Sequence, residues 1–355
     1  MRPTRVLLYV FLSQIAVAPV FGLPPGHFKI FDVKGAGTDS GEGTIPDALN
    51  ASSASTGYYI DSDFSNHGFL RASDGTVATF DVDGPSSQTQ PSAINRKGTV
   101  AGFYLKPKRQ IHYNGFLRKS SGTIDKFKAG GANTGVSGLN DNGDAVGNYS
   151  TRKHHIIGYL RAADGSVTDF RDPKAGKGEF EGTFVYGIND AGAIAGQFVR
   201  RRGTGGFIRN TDGTFTNFEI AGAGTLGIYP SAINQEGWVA GFYFDPNQAL
   251  HAFIRDPAGT ITTFDVHGAG TGADQGTSTS SIADDGTVAG SYVDSNNVSH
   301  GFLRLKNGTI KAFDAPGAGT GSGEGTIAVA INELHVTVGY EIDGSGVFHG
   351  FLRTP

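Results

Sequence analysis

Apolar residues recur along this chain in short alternating runs. In the stretch beginning at Pro230 they separate cleanly into SAIN (231–234), the turn QEG, WVAGFY (238–243), a polar loop, HAFIR (251–255), the turn DPAG, and TITTFDV (260–266). Each run is rich in aromatic and β-branched residues and is bounded by Gly, Asn or Asp, which mark strand ends and tight turns. No segment sustains the period of an amphipathic helix, so the pattern predicts an all-β chain with four short strands per unit. The third run places large residues side by side, Phe69 with Leu70 and Phe302 with Leu303, and Phe80 and Phe313 stand on the strands that return. Such pairs predict sheets buried on both faces.

That third run returns seven times: GFLR at 68, 115, 301 and 350, GYLR at 158, GFIR at 206 and AFIR at 252. The steps are 47, 43, 48, 46, 49 and 49 residues, a period that fits a four-stranded propeller blade and exceeds that of most helical solenoids. The expected fold is a seven-bladed β-propeller with four-stranded antiparallel blades, one domain over 23–355. The chain ends at HGFLRTP, a third strand with no fourth after it, while GHFKIFD at 26–32 aligns with GTVATFD at 75–81. Pairing 28–33 with 349–353 would complete blade seven, bring His349 beside Asp32 and leave no open sheet edge.

The recurring set, HGFLR, then DGT, FD, GAGTG and AIN-x-x-G-x-VAG-x-Y, covers residues 26–355. It resembles the HAF-type extracellular repeats of bacterial secreted proteins. The resemblance implies an exported repeat protein and brings no assigned activity or catalytic residues. Copy one departs from the pattern, because NASSASTGYY lacks the N-x-x-G turn, and copy seven reads INELH where a turn glycine is expected.

Charge changes the picture little at the level of the whole molecule. There are 29 Lys and Arg against 33 Asp and Glu, a net charge of -4, so no general attraction to nucleic acid or anionic lipid follows. Arg2 and Arg5 precede an apolar run from Val6 to Val20, which reads as a signal peptide over 1–22. Ser13 and Gln14 interrupt the run, which is short of the roughly 20 apolar residues of a membrane span. The expected destination is extracellular, periplasmic or at the cell surface. With no cysteine, stability must come from a large core and from ring closure.

Residues present in every copy serve the blade, whereas a single ligand site must use residues that differ between blades. Arg71, Arg118, Arg161, Arg209, Arg255, Arg304 and Arg353 belong to the first group and are expected to close each third strand beside its polar turn. A sialidase-like arginine site would come with an S-x-D-x-G-x-[TS]-W box, which is absent; the single tryptophan is Trp238. Histidine precedes aspartate by fourteen residues in His67 with Asp81, His251 with Asp265 and His300 with Asp314. His349 with Asp32 makes a fourth pair through closure. Hairpin geometry predicts contact, and copies two to four replace both partners together, as Asn114 with Lys128, Ile157 with Arg171 and Gly205 with Glu219. These pairs read as structural ties, and no metal or cofactor is assigned.

Strand alternation puts the N-x-x-G and D-G-T turns at one end of the blades, and the GAGTG loops and pre-GFLR loops at the other. The pre-GFLR loops divide sharply by charge. Blade two has Lys106, Lys108, Arg109 and His112, blade three Arg152, Lys153, His154 and His155, and blade four Arg200, Arg201 and Arg202. The other blades offer Asp61, Asp63, Asp245, Asp294, Glu341 and Asp343. A basic arc on consecutive blades points to a non-catalytic binding module for an anionic envelope polymer, an acidic polysaccharide or an acidic protein surface. Two alternatives stay open. The acidic arc could meet the basic one of a second copy, giving self-association. A propeller glycan hydrolase or lyase could use Glu42, Glu179, Glu181, Glu324, Tyr186 or Tyr229 as its carboxylates or base. The GAGTG runs are not phosphate loops, since no G-K-[ST] follows, and EF-hand spacing is not met.

Overall fold

The computed structural model describes residues 26–105 and 112–355. The segment 1–22, read from sequence as a signal peptide, and Lys106, Lys108 and Arg109 lie outside the described residues. Within these bounds the chain forms 28 strands and no helix. Unit one is an antiparallel meander of Gly43–Leu49, Ser55–Ile60, Asn66–Arg71 and Val77–Phe80. The same meander recurs as unit two (88–127), unit three (132–170), unit four (182–218), unit five (228–264) and unit six (276–313). In unit seven Gly325–Ile331, Thr337–Ile342 and Phe348–Thr354 pair in turn, and His27–Phe31 lies antiparallel on the last of them, with Phe28 opposite Arg353 and Phe31 opposite Gly350.

Strand bounds differ slightly from the sequence pattern. The run 231–234 belongs to a strand that begins at Ile228, because Ile228, Tyr229 and Pro230 also pair with the second strand. The run 260–266 shrinks to Ile261–Phe264, and the fourth strand is four residues long in units one to six and five in unit seven. Short outer strands leave little free edge for pairing with other chains.

The motif AIN is explained at the turn that follows each first strand. Asn95 Oδ1 accepts the Thr99 N–H of its own turn at 3.0 Å, while its Nδ2 donates to the Asn140 carbonyl of the next unit at 3.1 Å. Asn50, Asn140, Asn189 and Asn234 reach the next unit in the same way at 2.9–3.2 Å. Asn332 of unit seven donates to the Asn50 carbonyl of unit one at 3.1 Å. The first strands are therefore the innermost ones, joined side by side by a collar of buried amides. Unit six alone has Ala283 at this position and makes no such link.

The two aberrant turns keep the same hydrogen bonds. Ser53 (φ 61) and His335 (φ 56) take the left-handed place that Gly98 (φ 75) fills in unit two. Their N–H groups still bond to the Asn50 and Asn332 carbonyls at 2.9 Å.

Adjacent units are packed by the repeat arginines. Arg118 lies over the Phe80 ring of the preceding unit at 5.0 Å, and Arg161, Arg209, Arg255, Arg304 and Arg353 lie over Phe127, Phe170, Phe218, Phe264 and Phe313 at 4.8–5.5 Å. Arg71 lies over Phe31 of the N-terminal strand at 5.0 Å. Each such contact contributes about 0.5–2 kcal/mol. In Arg71, Arg161, Arg255 and Arg304 the guanidinium also bonds to the following carbonyl, as Arg255 does to Asp256 at 3.0 Å. The largest fully buried side chains include Phe69, Phe116, Phe207, Phe253, Phe302 and Phe351, one per third strand, so the core is a series of inter-unit layers.

Four of the outer joints are drawn together through a glycine. Gly43, Gly182, Gly276 and Gly325 start their strands at φ 114–147 and form one-residue parallel bridges to Phe348, Ile156, Leu250 and Ser299 of the preceding unit. A Cβ at Gly182 would run into the Ile156 carbonyl oxygen, so the bridge needs glycine both for φ and for space. At unit three the position holds Asn133 (φ 56), and no bridge forms to unit two. Bridges are also missing between units one and two and between four and five, leaving open sheets of 16, 8 and 4 strands.

Candidate functional site

The joint between units two and three opens into a cleft of ≈ 490 Å³. Gln90 and Phe103 of unit two and Asn148 of unit three lie on inner and second strands, and Tyr113 starts the third strand of unit two. Asn133 bridges the two units: its Oδ1 accepts the Tyr113 N–H at 3.2 Å, and its Nδ2 donates to Ser150 Oγ at 3.3 Å. The far rim is Phe180 of the GAGTG-type loop before unit four, with its N–H bonded to the His154 carbonyl at 3.0 Å and its ring 5.6 Å from that of His154. A second cavity of ≈ 580 Å³ shares Asn133, Ser150 and His154 and adds His112, Lys128 and Arg152. None of the described residues lining either cavity is acidic.

Of the basic residues singled out by sequence, His112, Arg152 and His154 therefore share one cavity wall. His112 Nδ1 is 3.4 Å from Asn133 Oδ1. Arg152, Lys153 and His154 are exposed, and His155 is half-buried with its N–H on Thr151 Oγ1. Arg200 and Arg202 line a separate cavity of ≈ 470 Å³ at the unbridged joint of units four and five, while Arg201 is exposed. Arg200 is tied down there: its Nη2 is 3.1 Å from Glu219 Oε1 and its guanidinium lies 5.3 Å from the Phe198 ring centre.

The His–Asp pairs are in contact, and each histidine has a second carboxylate. His67 Nδ1 is 2.8 Å from Asp81 and its Nε2 3.0 Å from Asp61. His251, His300 and His349 contact Asp265, Asp314 and Asp32 at 2.8–3.0 Å through Nδ1, with Asp245, Asp294 and Asp343 at 3.6–3.9 Å from Nε2. Asp61, Asp245, Asp294 and Asp343 are turn caps as well: Asp245 Oδ1 accepts the Asn247 and Ala249 N–H groups, and the Ala249 N–H above all holds its carboxyl below the usual range. Burial lowers the pKa of His67 and His349, but the hydrogen bonds their ring N–H groups donate to the flanking carboxylates, with the attraction of those charges, outweigh it and leave both raised.

Three of the four carboxylates considered for catalysis hold their own loops in shape, and the fourth, Glu179, is exposed. Glu42, Glu181 and Glu324 accept the Asp39, Gly178 and Gly321 N–H groups at 2.6–2.9 Å and fold their own GAGTG loops, as Gln275 does with Gly272. Tyr186 donates to Gln197 Oε1 at 3.0 Å, and Tyr229 stacks on Phe242 with centroids 5.1 Å apart. Two other acids are more perturbed. Burial pushes Asp47, the extra residue of the bulge in the first strand of unit one, up to about 7, and the Tyr58 hydroxyl beside it is raised as well. Burial likewise pushes Glu341 up to about 7 against the pull of His349; it occupies the position of Tyr59, Tyr243 and Tyr292, and its Oε2 has no hydrogen-bond partner among the described residues.

The cleft residues Gln90, Phe103, Tyr113, Lys128, Asn133, Asn148 and Phe180 were not singled out by charge patterning. The signal was present in the repeat: Asn133 and Phe180 replace glycines, and Lys128 replaces the aspartate of the His–Asp pair.

No family model matches this chain and no curated protein matches it. Among solved structures it is similar to a streptogramin B lyase (TM-score 0.60, 12% identity, covering 93% of this chain and 98% of that one). It is also similar to virginiamycin B lyase from Staphylococcus aureus (TM-score 0.60, 11% identity, 93% and 100%). At such identity the likeness is one of fold alone: the chain has an all-β, propeller-like architecture.

Proposed function

We propose that this chain is an exported, non-catalytic binding module: a seven-bladed propeller whose N-terminal strand completes the last blade and whose blades two to four bind an anionic polymer. The ring reading is supported by the Asn332–Asn50 bond, by Arg71 over Phe31, and by the register of His27–Phe31 on Phe348–Thr354. The binding reading is carried by one observation. His112, Lys128, Arg152 and His154 line a single cavity with no acid among its described lining residues, in a protein of net charge -4. Lys153, Arg201 and Arg202 add exposed positive charge on the loops of units three and four, and Lys106, Lys108 and Arg109 belong to the same basic set in the sequence.

The test is retention on immobilised alginate with a rising salt gradient. Exposed charges are screened over about 10 Å at 0.1 M salt, so binding should weaken steeply. The quadruple variant Arg152→Glu, Lys153→Glu, Arg201→Glu and Arg202→Glu should pass through unretained with an unchanged melting temperature, since exposed loop charges add little stability. Reversal of Arg71, Arg118, Arg255 and Arg304 should instead disturb folding, because these lie over phenylalanine rings. Retention of the loop variant like the wild type would refute the reading.

A further inference from the structure

We propose that the cleft between units two and three is a subsite for one pyranose ring of an acidic polysaccharide. This rests on the anionic-polymer reading and narrows it from any polyanion to a sugar chain. A pyranose ring presents C–H groups on its faces and hydroxyls around its rim. Its site needs flat apolar surface together with groups that both donate and accept hydrogen bonds.

The cleft supplies both. Phe103 and Tyr113 meet edge to face with centroids 5.2 Å apart, and Tyr113 is 39% exposed. Gln90 and Asn148 bring side-chain amides to the same wall. Among the described residues the Gln90 amide and the Asn148 Nδ2 have no hydrogen-bond partner, while Asn148 Oδ1 receives only a long contact, 3.5 Å, from the Val185 N–H. At ≈ 490 Å³ the cleft falls within the roughly 300–1,000 Å³ of small-molecule sites.

Phe180 places an exposed aromatic ring on the rim of this cleft. It adopts φ 58 at the position where units one and seven use Gly41 and Gly323, both at φ 84, and unit six uses the small polar Asp274 at φ 60. Left-handed backbone is strained at a bulky residue. Burial does not offset that cost, since Phe180 is 64% exposed. An aromatic ring kept at a glycine position, strained and turned to solvent on the rim of a cleft, is accounted for by contact with a bound ring.

Lys128, Arg152 and His112 in the adjoining cavity then meet the carboxylate of the same sugar or its neighbour. A polyphosphate or an acidic peptide would need the cations but not the aromatic wall or the free amides.

The experiment measures binding to polygalacturonate, alginate and hyaluronan, with polyphosphate as a sugar-free polyanion, at about 0.05 M and about 0.5 M salt, where screening removes most of the charge attraction. The proteins are the wild type, Gln90→Ala and the double variant Tyr113→Ala/Phe180→Ala; both aromatics are exposed, and an unchanged melting temperature checks the fold. At high salt at least one uronate polymer should stay bound while polyphosphate is released. The aromatic double variant should lose roughly tenfold in affinity for that polymer, about 1.4 kcal/mol, with polyphosphate binding at low salt unchanged. If the variants bind uronates like the wild type, or if polyphosphate alone is bound, the subsite is refuted and the basic arc stands. If the wild type binds neither class at low salt, both readings fall.

Discussion

The collar of asparagines has one gap, and filling it tests how the units are held together. Unit six carries Ala283 where Asn50, Asn95, Asn140, Asn189, Asn234 and Asn332 stand in the other units. The Asn332 carbonyl therefore lacks the amide donor that the Ala283 carbonyl receives from Asn234 at 2.9 Å. Ala283→Asn should supply two bonds, Nδ2 to the Asn332 carbonyl and Oδ1 to the Thr287 N–H, which already has a partner in Asp285 Oδ1 at 2.8 Å. Only the first is a net gain, worth about 0.5–1.5 kcal/mol. Ala283 is fully buried, so an amide that failed to pair would instead cost about 1–3 kcal/mol. Urea denaturation followed by tyrosine and tryptophan fluorescence distinguishes the signs. The reference variant is Asn234→Ala, which strips the donor from the Ala283 carbonyl and the acceptor from the Trp238 N–H, now bonded at 2.8 Å, and should lose about 2–3 kcal/mol. A destabilised Ala283→Asn protein alongside a neutral Asn234→Ala protein would refute the collar as a source of inter-unit stability.

Other expectations follow from single contacts. Asp47 is raised from 3.8 to about 7, so the folded state holds its proton longer than the unfolded chain and stability should fall as pH rises between those values. Between pH 5 and 8 that loss is at most about 2.5 kcal/mol, and Asp47→Asn should be more stable than wild type at pH 8, with the gap narrowing as pH falls and closing only below about pH 3.8, where the unfolded carboxyl is protonated too; a stability difference that does not change with pH would refute this. Removing residues 26–33 takes away the partner strand of Phe348–Thr354 and the ring beneath Arg71, and a melting temperature equal to that of the intact protein would contradict the pairing. Gly182→Val should destabilise through its clash with the Ile156 carbonyl and its φ of 147, whereas Gly203→Ala, with open space around the new methyl group at φ 119, should show backbone strain alone. The smaller loss belongs to Gly203, and chemical denaturation of the two variants ranks them.

Much of this architecture was legible in the sequence because period-two alternation and Gly, Asn and Asp punctuation are local signals, repeated often enough to average out noise. The position of the four strands in each unit, the pairing of His67 with Asp81, and the match of residues 26–32 to a missing fourth strand all rest on spacing along the chain. The repeat also separated framework from variation, which is why the arginines of GFLR were read as structural. What spacing could not say was which strand lies innermost, since that depends on how one unit meets the next. Asn95 looks like a turn residue in sequence, and only the neighbouring unit reveals that its Nδ2 donates to Asn140. The same holds for Arg118, whose partner Phe80 belongs to another unit, and for the glutamates of the GAGTG loops, which fold their own loops. The cleft is the clearest case: Gln90, Asn133, Asn148 and Phe180 come from three units and were dispersed in sequence. Their chemistry exists because units two and three meet without a backbone bridge, a consequence of backbone geometry across the joint that no local pattern encodes.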